Sequence, residues 1–324
     1  MKLAVPLGEL ANRGALPARR PLRVVDLGAG CGAMSLGLVA TLGELGDPGG
    51  SLEILAIDRD AAALSIAAAA IRDLAARTGV RAAVTTRTAD AVQAPLDDAD
   101  LVVMGSLLNE LPADRALGVV ERALRAISPD GAVIVIEPAL RDTSRALHTV
   151  RDEVIRRGAG HVFAPCTRRG APCPALADPD DWCHEDRALA LPPRTAELAR
   201  LTHLRDGGMK FSYLVLRAQP LALVAAAETS PSAAAHGAAW RIVSAPRPAK
   251  GKLELIGCSD HGRLPLRLLR RHRTAANRDL ERAERGDVLA ADAAPGEQRV
   301  ELDDTTHVAR LEPARLRPRR RPPP

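Results

Sequence analysis

The chain has 324 residues, 46% of them hydrophobic, which is enough to bury a substantial core in one main domain with a smaller companion. Its net charge is +5, no apolar run approaches the roughly 20 residues of a membrane span, and the opening "MKLAVPLGELANRG" has no signal-peptide core. Membrane and secreted classes are thereby excluded, and the alanine, arginine and proline bias suits a bacterial cytoplasmic protein. Only 2% of residues are aromatic, so aliphatic side chains must supply the packing.

From Pro21 to about Leu140, short β-type runs alternate with alanine-rich stretches, as βα units of a parallel sheet do. The strands read "LRVVDLG", "LEILAID", "AAVTTRT", "DLVVMGS" and "GAVIVIE", with helices at about 33–44, 60–78 and 113–127 and a turn at "SPDG", 128–131. A helix is predicted over Thr143–Arg157, a loop over 164–187, renewed periodicity over Thr195–Leu204 and a strand at "MKFSYLVLRA". After a break at "SPSAAAHGAA" come two strands, "WRIVSAP" and "KLELIGCS", and an arginine-rich helix at about 264–283. The divisions expected are an N-terminal segment 1–20, a nucleotide-binding domain 21–160, a cysteine-rich insertion 161–190, the end of the main fold with a basic extension 191–290, and a disordered tail 291–324 ending in proline-arginine low complexity.

"VVDLGAGCG" at 24–32 sets a glycine-rich turn between a strand and a helix, where bare backbone can approach a ligand closely. It lacks the Lys-Ser/Thr of a P-loop, and Asp26 would repel a pyrophosphate but can accept from an ammonium group, which favours S-adenosylmethionine over a dinucleotide. The arrangement resembles motif I of class I methyltransferases, with Gly28, Gly30 and Gly32 shaping the loop. Asp58 ends the second strand where that fold places an acid on the ribose hydroxyls, and Asp90 follows the third strand at the adenine-edge position. After the fourth strand, "SLLNELP" puts Asn109 and Glu110 at the sheet edge where substrates are met. They are the candidate catalytic residues, the alternative being a helix-capping asparagine and an exposed glutamate.

Three of five cysteines, Cys166, Cys173 and Cys183, stand in "APCTRRGAPCPALADPDDWCHEDR" with six and nine residues between them. In a reducing compartment such a cluster reads as metal-binding or redox-active rather than as a disulfide framework. Cys258, in "LIGCSDHG", completes a set of four, and Cys31 reads as a small filler. Four thiolates suit tetrahedral zinc or a [4Fe–4S] cluster; the wide spacing, without CxxC knuckles, favours the cluster. His161 and His184 are alternative ligands. Eight arginines against three acids between Arg263 and Arg285 point either to a polyanionic partner or to a solvated face laced with ion pairs.

The Cys-Pro and Trp-Cys-His elements of that stretch, with "SYLVLR" at 212–217, "WRIV" at 240–243 and "GCSDHG" at 257–262, resemble the methyltransferase-like family of the mitochondrial small ribosomal subunit, which includes methyltransferase-like protein 17 and bacterial relatives. The resemblance spans most of residues 21–290. It implies an α/β fold: a class I S-adenosylmethionine-dependent, Rossmann-like methyltransferase sheet with a cysteine-rich metal-binding insertion and a small C-terminal β/helix extension. It further implies a [4Fe–4S] cluster on Cys166, Cys173, Cys183 and Cys258, with zinc as the alternative, and binding to the small ribosomal subunit and its 16S-type rRNA, with neither a membrane nor DNA as partner. Arg263, Arg267, Arg270, Arg271 and Arg273 are then the expected RNA contacts. An active rRNA methyltransferase and a zinc-containing small-molecule methyltransferase are the competing readings. The chain departs from the family in having about twenty residues before the glycine-loop strand, where a helical segment is usual, and Arg285 in place of a tryptophan before Gly286-Asp287.

Overall fold

The computed structural model describes residues 2–45, 51–96, 98–187, 193–203, 208–221 and 238–312. In chain order, helix α1 (Ala4–Asn12) precedes β1 (Leu22–Leu27), α2 (Ala33–Leu45), β2 (Ser51–Asp58), α3 (Ala61–Thr78), β3 (Arg81–Thr88), β4 (Ala99–Gly105), α4 (Ala113–Ala126) and β5 (Ile127–Pro138). Then follow α5 (Arg141–Arg156), β6 (His161–Ala164), β7 (Glu185–Arg187), α6 (Pro193–Leu201) and β8 (Met209–Arg217). The remainder comprises β9 (Ala239–Ile242), β10 (Arg247–Ala249), β11 (Lys252–Ser259), β12 (Gly262–Leu269), α7 (Arg278–Glu281), β13 (Val288–Ala291), β14 (Val300–Leu302) and β15 (Val308–Glu312).

The first sheet runs β3-β2-β1-β4-β5-β8-β6. Its first five strands are parallel, and β8 is antiparallel to β5, to β6 and to β7. β4 is apolar on both faces because helices cover both, the signature of a central parallel strand. Asp60 caps α3, accepting from the backbone N–H groups of Ala62 (2.8 Å) and Ala63 (3.1 Å), and Gly79 ends it in the left-handed conformation. α1, within the short stretch before the glycine-loop strand, buries Leu3, Leu7 and Leu10 in the main core at helical spacing.

Several expectations are corrected. Ser128–Gly131 is not a turn before the strand but an excursion within β5: Ala99 faces Ile127 and Leu101 faces Ala132, so the intervening residues bulge out of register. Residues 164–187 are not wholly loop, since Glu185–Arg187 add a strand to β8. The renewed periodicity belongs to α6, Pro193–Leu201. In place of the arginine-rich helix expected at about 264–283 stand β12, a 3-10 turn at Arg270–His272 and the four-residue α7. Leu266 and Leu268 are buried and Leu264 half-buried at period two, Pro265 disfavours a helix interior, and the segment is β12, paired along its length with β11.

Those two strands belong to a second, mixed sheet, β14-β12-β11-β9-β13-β15 with β10 on β11, closed over Trp240, Leu255, Leu266 and Leu289. It contains both expected strands, as β9 and β11, adds further strands around them, and corrects the expected disorder from residue 291. Val300, Leu302 and Val308 are buried in its core and hold β14 and β15 in place. "SPSAAAHGAA" up to residue 237 and the stretch from Pro313 lie outside the described residues. Among the described residues no helix is long and apolar enough to cross a membrane.

Candidate functional site

β1, β2 and β3 end side by side, and their carboxyl ends carry the expected acids. Gly28, Gly30 and Gly32 all have positive φ (72°, 50° and 83°), a conformation costly for residues with a Cβ. A side chain at Gly28 would strike Leu107 and one at Gly32 would strike Ala67, each at 2.9 Å, whereas Gly30 borders open space. Asp58 braces the loop: one oxygen accepts from the Gly30 amide at 2.8 Å, the other from the Asp60 amide at 3.0 Å. Asp90 is exposed and accepts from the Val92 amide at 2.8 Å.

Asp26 is fully buried. One carboxylate oxygen accepts from the Ser35 hydroxyl (2.6 Å) and amide (3.0 Å), tying the first turn of α2 to β1, while the other has no partner. Burial drives its pKa up to about 6 against the lowering effect of the Ser35 bonds. Cys31, expected as a filler, is exposed in the same loop.

Asn109 and Glu110 lie on a 3-10 turn after β4. With its amide nitrogen facing acceptors, Asn109 donates to the Ser106 carbonyl and to Glu137 Oε2, both at 2.9 Å. Glu110 is exposed, 3.9 Å from Arg59. Glu137, at the carboxyl end of β5, is the member that motif reading misses: it is 1% exposed, accepts from the Leu108 amide at 2.8 Å, and is pushed by burial up to about 7. The available signal was an acid closing the apolar run "GAVIVIE".

A second constellation lies where the two sheets meet. Cys166, Cys173, Cys183 and Cys258 line one cavity of ≈ 40 Å³, against the roughly 10–15 Å³ that one water occupies, together with His148, His184, Arg151 and Arg241. Each segment is fastened by its backbone. Thr167 donates to the Cys258 carbonyl (2.8 Å), Arg168 to the carbonyls of Ser259 (3.2 Å) and Asp260 (2.7 Å), and the Arg169 amide to Asp260 (3.0 Å). α5 turns a polar face inward. Arg145 donates to the carbonyls of Ala175, Asp178 and Asp181, His148 Nε2 meets the Cys183 carbonyl at 3.0 Å, and Asp152 accepts from the Cys173 amide at 2.9 Å.

At the cavity's edge lies a buried network drawn from four elements. Arg241 of β9 donates to Glu9 of α1 (2.7 Å), to Glu185 of β7 (2.8 Å) and to the Tyr213 hydroxyl of β8 (2.7 Å), and that hydroxyl donates to Glu9 (2.6 Å).

The donor set fits an anionic, thiolate-bound group. Burial and the neighbouring thiols push Cys173 up to about 11, Cys258 to about 12 and Cys183 well above the ordinary range, so metal ligation is what would hold these sulfurs as thiolates near neutrality. The Nε–H groups of Arg151 and Arg241 are buried with no acceptor among the described protein groups. A single tetrahedral ion about 2.3 Å from each sulfur would need the sulfurs within about 3.8 Å of one another. Among the described residues no set of His, Cys, Asp or Glu is arranged to hold one metal ion. His184 borders the cavity, stacked on Trp182, whereas His161 is exposed at the start of β6.

The arginines expected to meet RNA do not share a helix face. Arg263 pairs with Asp181, Arg267 with Glu301 (2.9 Å) and Arg273 with Glu281, while Arg270 and Arg271 are exposed on a 3-10 turn. Arg285 donates to the His184 carbonyl at 2.9 Å, and Gly286, at φ 92°, leaves room for Arg187.

A parallel 3-2-1-4-5 sheet extended by an antiparallel strand, with a glycine loop after its first strand and acids closing the next two, defines the class I methyltransferase type of fold. Residues 3–290 match the family described as mitochondrial small ribosomal subunit Rsm22, and the chain belongs to that family. No curated protein gives a sequence match. Among solved structures, the chain is similar to magnesium protoporphyrin IX methyltransferase ChlM from Synechocystis PCC 6803 with bound SAM (13% identity, 66% of this chain and 77% of that one, TM-score 0.39). It is likewise similar to a Listeria monocytogenes protein classed as a class I S-adenosylmethionine-dependent methyltransferase (13% identity, 68% and 60%, TM-score 0.42).

Proposed function

We propose that this protein is a methyltransferase-like factor of the small ribosomal subunit that binds S-adenosylmethionine at the glycine loop and a [4Fe–4S] cluster at Cys166, Cys173, Cys183 and Cys258. The observation that carries the reading is the gathering of four cysteines from two distant stretches around one cavity bordered by buried arginines. Family membership supports the ribosomal partner. The cluster, when bound, supplies a fixed anionic staple between the insertion and the second sheet, and Thr167, Arg168 and Arg169 hold the two segments in the register it requires.

At the other site, Gly30 leaves the loop open to the methionine part of the cofactor, Asp58 offers its remaining lone pairs to the ribose, and Asp90 stands at the adenine edge. Asn109 and Glu110 flank the place of methyl transfer. With Asn109 held by Glu137, binding of the subunit and its 16S-type rRNA is the primary activity, and Arg270 and Arg271, exposed on their 3-10 turn, are the arginines of the expected set that make phosphate contact.

Iron and acid-labile sulfide on anaerobically purified protein test the metal assignment. About four of each per chain support it, and zinc without sulfide overturns it. For the cofactor, Asp58→Ala is expected to weaken S-adenosylmethionine binding by more than tenfold in calorimetry, and an unchanged affinity overturns that assignment. Incorporation of labelled methyl into 16S-type rRNA, abolished by Asn109→Ala, would replace the binding role with a catalytic one.

A further inference from the structure

Four arginines border the cysteine cavity: Arg151, Arg168, Arg241 and Arg263. Their charges are not equally available. Arg241 is balanced by Glu9 and Glu185, and Arg263 by Asp181. Arg168 is half-buried and donates to the carbonyls of Pro172, Ser259 and Asp260. Arg151 is 1% exposed, and among the described residues its carboxylate partner is Asp152, which also accepts from the Cys173 amide.

Arg151 lies one helical turn beyond His148 on the inward face of α5. Its Nη atoms donate to the carbonyls of Arg168 and Ala171, both inside the loop between Cys166 and Cys173, while its Nε–H is buried and has no acceptor among the described protein groups. The guanidinium keeps its charge, as arginine does throughout proteins, with the Asp152 carboxylate beside it. A buried cation whose carboxylate partner is shared with the Cys173 amide, and whose Nε–H has no acceptor among the described protein groups, borders the four-thiol cavity, and an anion in the cavity would meet that donor.

We propose that Arg151 is the countercharge of the group held by the four cysteines, stabilising its more negative state, an assignment that rests on the reading of that site given above. A positive charge in a low-dielectric surrounding lowers the energy of each added electron, so it raises the reduction potential of a thiolate-bound cluster. Asp152, on the same helix, acts in the opposite sense.

The test is a redox titration of the intact protein, followed by the electron paramagnetic resonance of the reduced cluster, with iron and sulfide counted on every variant. Arg151→Gln keeps a donor for the loop carbonyls and removes the charge; its potential is expected to fall, while Arg151→Lys stays near wild type. Asp152→Asn keeps an acceptor for the Cys173 amide and removes the opposing charge, so its potential is expected to rise. Should Arg151→Gln lose the cluster, Asp152→Asn alone decides: a rise supports the assignment. Unchanged potentials in variants that retain full iron and sulfide overturn it and leave the metal site intact. A wild-type protein without labile sulfide overturns the reading of the site itself, and this assignment with it.

Discussion

The hydroxyl of Thr167 donates to the carbonyl oxygen of Cys258 at 2.8 Å, joining stretches 91 positions apart. Together with the neighbouring bonds from residues 168 and 169 it clasps the cysteine loop to the β11–β12 hairpin. Thr167→Val removes the side-chain donor to a carbonyl that stays in the β9–β11 ladder, which costs about 0.5–1.5 kcal/mol. Thermal unfolding should fall by roughly 2–4 °C for each kcal/mol, and a melting temperature equal to wild type would show that the clasp contributes nothing.

Arg241→Met leaves Glu9 without its cation and Glu185 with Arg187 alone, and is expected to cost about 3–5 kcal/mol in urea unfolding. The triple variant with Glu9→Gln and Glu185→Gln should recover much of that loss, because the carboxylate charges go with the arginine. Burial would raise the Glu185 pKa, but Arg241 and Arg187 outweigh it and hold the group below the ordinary 4.5. A depressed carboxylate contributes stability above pH 4.5 and loses it as pH falls through the lower folded value, so the wild type should show an acid-limb loss that the triple variant lacks.

Asp26 gives the opposite sign. Its folded pKa of about 6 lies above the ordinary 3.8, so the folded state prefers the protonated acid. Its contribution is fully present below pH 3.8 and is lost as pH rises through 6. Asp26→Asn should flatten the stability profile across that window, and a profile parallel to wild type would mean the carboxylate is better solvated than its burial indicates.

Glu137, raised by burial to about 7 from an ordinary 4.5, should likewise lose its contribution between those values. Glu137→Gln is expected to remove that dependence and keep an acceptor for the Leu108 amide. Glu137→Ala leaves that amide unpaired at a cost of about 1–3 kcal/mol and leaves the Asn109 side chain held by the Ser106 carbonyl alone. Chemical denaturation from pH 4 to 8 distinguishes the two substitutions.

Local chemistry was the legible part of the sequence. The glycine loop, the acids of β2 and β3 and the strand "MKFSYLVLRA" each follow from a pattern a few residues long, and the structure puts them at one sheet edge or in one strand. What depends on distant partners was not legible. β12 carries so many arginines that charge density suggested a helix, although its leucines repeat at period two and Pro265 interrupts any helical reading. Glu137 looks like a strand-end acid until the turn bearing Asn109 folds onto it. The polar inward face of α5 breaks the usual apolar rule because it meets loop carbonyls rather than side chains.

The bond between Glu9 and Arg241 spans 232 positions. During synthesis the helix bearing Glu9 leaves the ribosome long before the arginine that neutralises it, so a nascent chain cannot close its interior over that carboxylate until β9 has emerged. Contacts of such sequence separation make folding slow, and a polypeptide arrested short of residue 241 would keep this seam open to proteases.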